Sequence, residues 1–135
     1  MIVANAQTAG RGRLGRTWVS PPGSGLYVSV VLAPARARVD ARRAASLITI
    51  AAGVALAEAV EAATKLRVDI KWPNDLYVGR RKLAGILGEA VADAEAPDAV
   101  PSVVLGYGIN VAATAYPPEV ANRARGAIRR MVEIA

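Results

Sequence analysis

The chain has 135 residues, enough for one domain that can bury roughly two thirds of its extended surface, so a hydrophobic core needs no staples. It has no cysteine and no histidine, which excludes a disulfide framework, thiolate or imidazole metal sites, and a serine–histidine nucleophile pair. Seventeen Lys and Arg against eleven Asp and Glu give a net charge of +6, with Arg the dominant cation. Fixed charge, amides and backbone groups suit stabilising an anion better than shuttling protons.

In chain order, Met1-Ile2-Val3-Ala4 shows no signal-peptide pattern. Ile2 to Ala6 predicts a short strand, and a strand that begins at the first residue points to sequence upstream. Residues 10–25 hold Gly10, Gly12, Gly15, Gly23 and Gly25, Pro21-Pro22, and Arg11, Arg13 and Arg16, and predict a long loop of the kind that is functional or disordered. Leu26 to Leu32 is β-branched and aromatic and predicts a buried strand. Asp40 is placed to cap a helix of about six turns running to about Ala63, with Leu47, Ile48, Ala51, Val54, Ala55 and Val60 at helical spacing. The uncharged apolar run inside it, Ala44 to Ala57, is shorter than the ~20 residues that span a bilayer, so a soluble, cytoplasmic protein with no membrane partner is expected.

Val68 to Trp72 predicts a strand stopped by Pro73-Asn74-Asp75. Leu76 to Val78 and Lys82 to Ala90 flank the turn Gly79-Arg80-Arg81 and predict a β-hairpin. The acidic stretch Ala92 to Pro101 predicts a surface loop. Ser102 to Val111 predicts a strand with Gly106 and Gly108 inside it, where a ligand or backbone must come close. Pro117-Pro118 opens a last helix, with Val120, Ala124, Ala127, Ile128, Met131 and Ala135 on one face and Arg123, Arg125, Arg129 and Arg130 over the rest. No repeat or linker divides the chain. The sum is an α+β domain: a mixed sheet of about five or six strands with helices on one face.

Gly10-Arg11-Gly12-Arg13-Leu14-Gly15 matches G-x-G-x-x-G, but Pro21-Pro22 follows where a dinucleotide fingerprint needs a helix, so the match fails. The segment still offers crowding amides and three planar guanidiniums that fit phosphate oxygens. Residue chemistry alone leaves phosphate binding and a disordered basic loop both open. Lys71-Trp72-Pro73-Asn74-Asp75 reads equally as a ligand site or as good turn chemistry. Lys82 reads as a site residue or a solvated strand lysine, and Asn110 as a ligand contact or a strand-end cap.

Taken together, the blocks Gln7-Thr8-Ala9-Gly10-Arg11-Gly12-Arg13-Leu14-Gly15-Arg16-Thr17-Trp18, Lys71-Trp72-Pro73-Asn74-Asp75-Leu76, Lys82-Leu83-Ala84-Gly85-Ile86-Leu87 and Gly106-Tyr107-Gly108-Ile109-Asn110-Val111 resemble the biotin–protein ligases. The likeness covers residues 3 to about 112, and the lipoate-ligase signature does not match. It implies the biotin/lipoate ligase-like core, which is related to class II aminoacyl-tRNA synthetases. It implies that biotin and ATP, with Mg2+, form biotinyl-5′-adenylate, and that biotin then passes to a lysine of a biotin carboxyl carrier domain. By position, the resemblance assigns biotin to Gln7, Gly10, Arg11, Arg13, Lys82, Gly85, Leu87 and Gly106, and ATP to Arg13, Arg16, Trp18, Lys71, Asn74 and Asn110. Arg13 and Lys82 become the catalytic cations and Asp75 a candidate Mg2+ ligand. A homodimer through sheet edges is compatible with the family.

Family members also carry an upstream Ser-Thr-Asn segment, many a C-terminal small β-barrel, and some a DNA-binding helix-turn-helix. Residues 1–135 are therefore expected to be a partial catalytic domain without specific DNA binding. The alternatives are a weak or inactive fragment of such a ligase and, of a different class, a basic nucleic-acid-binding module built on Arg11, Arg13, Arg16 and the last helix. The module predicts salt-sensitive binding to any polyanion but lacks interleaved aromatics, with two Trp, four Tyr and no Phe.

Overall fold

A computed structural model describes residues 1–92, 94–96 and 98–112. The predicted last helix, from Pro117 on, lies outside the described residues. Six strands form one sheet: β1 (Ile2–Ala4), β2 (Gly25–Leu32), β3 (Asp69–Lys71), β4 (Asp75–Val78), β5 (Arg81–Val91) and β6 (Ser102–Asn110), in the order β1-β2-β6-β5-β4-β3. All five pairings are antiparallel, which narrows the expected mixed sheet. The centre is the long β2-β6-β5 ladder, and the short strands β1 and β3 stand at its edges.

The β4–β5 hairpin forms as its sequence predicts, with a turn one residue shorter than expected because Arg81 already pairs in β5. Val78 faces Arg81 across the two-residue turn Gly79-Arg80, and Gly79 takes φ +59°, which only glycine adopts at no cost. A register shift between Leu76 and Tyr77 lets both Leu83 and Ala84 turn inward, where they are fully buried.

Helix α1 (Ala41–Thr64) starts where expected, with the Asp40 carboxylate accepting from the Arg43 N–H at 2.8 Å. Its inward face agrees with the one the spacing suggested at Val60 and differs from it elsewhere. Gly53, Ala57 and Val60 are buried, whereas Leu47 and Val54 are exposed. The helix is apolar nearly all round, so hydrophobicity alone does not select a face. Small residues do, because they let the axis approach the sheet: a Cβ on Gly53 would stand 3.7 Å from Ile86 Cδ1. Counted whole, α1 is long and apolar enough to cross a membrane, which the shorter run Ala44 to Ala57 did not suggest. Here the Gly53–Val60 face packs on the sheet instead, closing a core of Ala57, Val60, Val68, Leu76, Leu83, Ala84 and Ile109.

The predicted loop at 10–25 is folded. Gln7 bridges Ser20 and Arg11 bridges Thr17, both antiparallel. The Gly12 N–H donates to Arg16 O at 2.7 Å and the Trp18 N–H to Gly10 O at 2.9 Å. Residues 7–20 thus form a tongue tipped by a 3-10 turn, Arg13–Gly15, in which Leu14 takes the left-handed φ of 58° with its side chain in solvent. Helix α1 covers one face of the sheet and the tongue lies over the other.

Because Leu83 is fully buried among core side chains, Leu83→Ala should lower unfolding stability by about 3 kcal/mol, against about 1 kcal/mol for Asp40→Ala at the helix cap. Urea denaturation followed by far-UV circular dichroism measures both, and an equal cost for the two would contradict this placement of the core.

Candidate active site

Between the tongue and the sheet lies an open cleft of about 880 Å3, a size suited to a small-molecule ligand. Its floor is laid out in cross-strand rows. In one row Asp75, Gly85, Gly108 and Tyr27 stand side by side on β4, β5, β6 and β2. The two glycines leave a bare strip of backbone, and the indole of Trp18 fills it. A Cβ on Gly85 would fall 2.8 Å from Trp18 Cζ3, and one on Gly108 2.6 Å from Trp18 Nε1. The indole N–H is buried and has no hydrogen-bond partner among the described residues.

Lys82 projects beside this ring. Its ammonium lies 5.3 Å from the centre of the indole and 2.7 Å from Asp75 Oδ1, with both side chains mostly buried (30% and 21% exposed). Asn110 at the end of β6 donates from Nδ2 to Lys82 O at 3.2 Å, fixing the backbone from which the lysine springs. Asn74 is bonded on three sides. Its carbonyl accepts from Ile86 N at 2.9 Å, its Nδ2 donates to Ile86 O at 2.9 Å, and its Oδ1 accepts from Arg13 Nη1 at 3.1 Å. The turn after β3 is thereby pinned to β5, and the one remaining amide oxygen is aimed at the tip of the tongue. Lys71, opposite Asp75 on β3, holds its ammonium 5.3 Å over the Tyr77 ring.

At the other end, Gln7 Oε1 accepts from Ser20 Oγ at 2.9 Å, and Arg11 pairs with Glu89 at 3.0 Å on the exposed rim. Leu87, Gly106 and Arg16 complete the expected set in the cleft. Gly10 is the exception. It faces a second, smaller hollow between the tongue and Leu87 and Glu89, and its role is backbone approach, since a Cβ there would meet Trp18 O at 2.3 Å.

The lining carries six cations (Arg11, Arg13, Arg16, Lys71, Arg80 and Lys82) against the carboxylates of Asp75 and Glu89. A good part of the chain's positive excess is thus gathered in one cleft, which favours a bound polyanion over a diffusely basic surface. Among the described residues no group of three or more acidic side chains could hold a metal by itself, and the Asp75 carboxylate is engaged by Lys82. Ser29, Tyr77 and Arg80 also line the cleft and were not singled out as site residues from the sequence, and Gly108, marked there as a place of close approach, was given no ligand. Gly108 had a signal: it lies two residues after Gly106, hence on the same strand face.

The sequence model described as the biotin/lipoate A/B protein ligase family matches residues 1–110. The chain belongs to that family. It is 42% identical over 111 residues to the bifunctional ligase/repressor BirA of Bacillus spizizenii, a match covering 82% of this chain and 32% of that protein. It is 37% identical over 123 residues to the biotin–acetyl-CoA-carboxylase ligase of Mycobacterium tuberculosis, covering 89% of this chain and 41% of that one. Among solved structures, the biotin protein ligase of Aquifex aeolicus in complex with biotin and ATP superposes with a TM-score of 0.68 at 38% identity, covering 90% of this chain and 47% of that one. The chain therefore spans between about a third and a half of these three relatives, and within that span it carries the fold of the biotin protein ligase catalytic core.

The seat of Trp18 gives a direct test. With Trp72 replaced by Phe, Trp18 is the one remaining tryptophan. Adding Gly108→Ala should lift the indole, shifting its fluorescence to the red and costing about 1–3 kcal/mol of stability, with the far-UV spectrum unchanged. Emission that stayed put would show that the strand yields and the indole does not.

Proposed function

We propose that this chain is the adenylate-forming core of a biotin–protein ligase, activating biotin with ATP and passing it to a lysine of a biotin carboxyl carrier domain. The observation that carries the reading is the meeting of Lys82, held by Asp75, with Arg13, held by Asn74, across one glycine-floored cleft. Joining a carboxylate to a triphosphate first requires bringing two anions together. Fixed cations offset that repulsion and then the charge that grows at the α-phosphate, and no general base is required because the carboxylate is already ionised.

In the first step a carboxylate oxygen of biotin bonds to the α-phosphorus, and the bond from that phosphorus to the bridging oxygen breaks as pyrophosphate leaves. In the second, the amine of the acceptor lysine attacks the acyl carbonyl, AMP departs, and the amine proton is released. Lys82 is assigned to the gap between the biotin carboxylate and the α-phosphate, and Arg13 to retention of the adenylate. Gln7, Arg11, Gly85, Leu87 and Gly106 are assigned to the biotin end. Arg16, Trp18, Lys71, Asn74 and Asn110 are assigned to the nucleotide, the two asparagines acting through the hydrogen bonds that aim Arg13 and fix Lys82. Gly10 shapes the tongue. Mg2+ is typically bound by one or two carboxylates together with substrate phosphates, and Asp75 is the carboxylate placed to contribute. We assign the chain to the cytoplasm on the absence of a signal-peptide pattern at residues 1–4.

A second reading keeps the fold without full activity, and it is favoured by one observation: the chain spans only 32% of the Bacillus relative and 41% of the mycobacterial one. Biotin-dependent exchange of labelled pyrophosphate into ATP separates the two. Exchange by the purified 135-residue chain supports a working core. Its absence, with recovery on adding an upstream Ser-Thr-Asn segment, supports a fragment. In an exchanging chain Lys82→Ala should lower the rate by about 10²–10³-fold while the fold persists, and undiminished exchange would remove Lys82 from its role. Arg13→Gly breaks the bond to Asn74 and should release adenylate early, seen as biotin on bystander lysines.

A further inference from the structure

The three glycines on the floor of the cleft are not equivalent. Gly85 and Gly108 are required by the protein's own packing, because the Trp18 indole occupies the space of their missing side chains. Gly106 is different. A Cβ there would stand 3.8 Å from Leu87 O and 3.9 Å from Ser29 Oγ, which are ordinary contact distances, so nothing in the folded chain fills the hollow above it. Gly106 pairs with Ser29 of β2 on one side and with Leu87 of β5 on the other. Directly paired residues present their side chains on the same face of a sheet. The hollow is therefore walled by an apolar side chain on one flank and a hydroxyl on the other. Ser29 is half-buried, lines the cleft, and its hydroxyl makes no hydrogen bond to the described residues.

We propose that Ser29 is a specificity-determining contact: its hydroxyl hydrogen-bonds the polar edge of a compact ring that rests on Gly106 against Leu87. A hydroxyl both donates and accepts, so it can pair with an N–H or a carbonyl on the ring edge, and a cyclic urea offers both. The ring rests where no Cβ intrudes, and its apolar flank meets Leu87. The inference deepens the biotin reading and rests on it. It adds a ring contact from β2, a strand to which none of the expected site residues belongs.

Equilibrium binding of biotin and, separately, of ATP to the 135-residue chain and its Ser29→Ala variant tests the assignment. Loss of one buried hydrogen bond should weaken biotin binding about five- to tenfold and leave ATP binding unchanged. Equal biotin affinity in the two chains overturns the Ser29 contact and leaves the biotin reading standing. A parallel loss of both affinities also overturns it, since a merely structural role for Ser29 predicts that result. If the parent chain binds ATP but no biotin, the same comparison is made with an upstream Ser-Thr-Asn segment added, and absence of biotin binding there overturns the contact and the biotin reading together.

Discussion

The tongue of residues 7–20 brings Arg11, Arg13 and Arg16 over the sheet, and its attachment depends on how closely an indole can approach bare backbone. Among the described residues, two polar side-chain contacts also hold it. The Arg11–Glu89 ion pair is exposed and contributes less than about 1 kcal/mol. The Arg13–Asn74 hydrogen bond is also exposed. Trp18 outweighs both: partial burial of an indole surface of about 150–250 Å2, at roughly 25 cal/mol per Å2, is on the order of 2–4 kcal/mol. That burial is available only because Gly85 and Gly108 face each other on adjacent strands. A side chain at either position would raise the ring, and the arginines and the wall beside Lys82 would rise with it.

The same contact organises the charges. Lys82 stands against the indole and is held by Asp75, whose neighbour Asn74 ties the turn to β5 and reaches the tongue through Arg13. The two central cations are therefore fixed by adjacent residues of one turn. A change in that turn moves both, so the Pro73-Asn74-Asp75 segment does more than reverse the chain. Its choice of residues serves tight turn geometry and cation placement together, which is why turn chemistry alone could not separate the two uses.

Much of this was legible in the sequence where the pattern is local. The hairpin at Gly79-Arg80, the cap at Asp40 and the strands at 25–32 and 102–110 follow from turn chemistry, capping and β-branched runs. The four motif blocks pointed to the family, and thirteen of the fourteen residues assigned through them line one cleft. What was not legible depends on approach distance and register. The inward face of α1 is chosen by Gly53 and Ala57, which a count of large apolar residues passes over. The tongue resembled a bare loop because its order comes from isolated bridges and from Trp18 seated on strands more than sixty residues away. Ser29 carries no motif, and only the pairing of β2 with β6 sets it beside Gly106.

The glycine content of the cleft floor also bears on what the site is for. Had all three glycines been covered by the protein, the floor would be a packing solution and the arginines above it a basic surface. Two are covered, and the cover is the side chain that anchors the cationic tongue. The third is left open between Leu87 and Ser29, away from Lys82 along the same cleft. An apolar hollow with a polar edge at one end and a cluster of cations at the other suits a ligand with a compact ring and an anionic tail better than it suits a nucleic-acid strand. A strand would need repeated stacking surfaces, and the cleft's tryptophan is already face-down on the sheet. The geometry thus favours a compact ring with an anionic tail over a polymer, by an argument that does not depend on the likeness to known ligases.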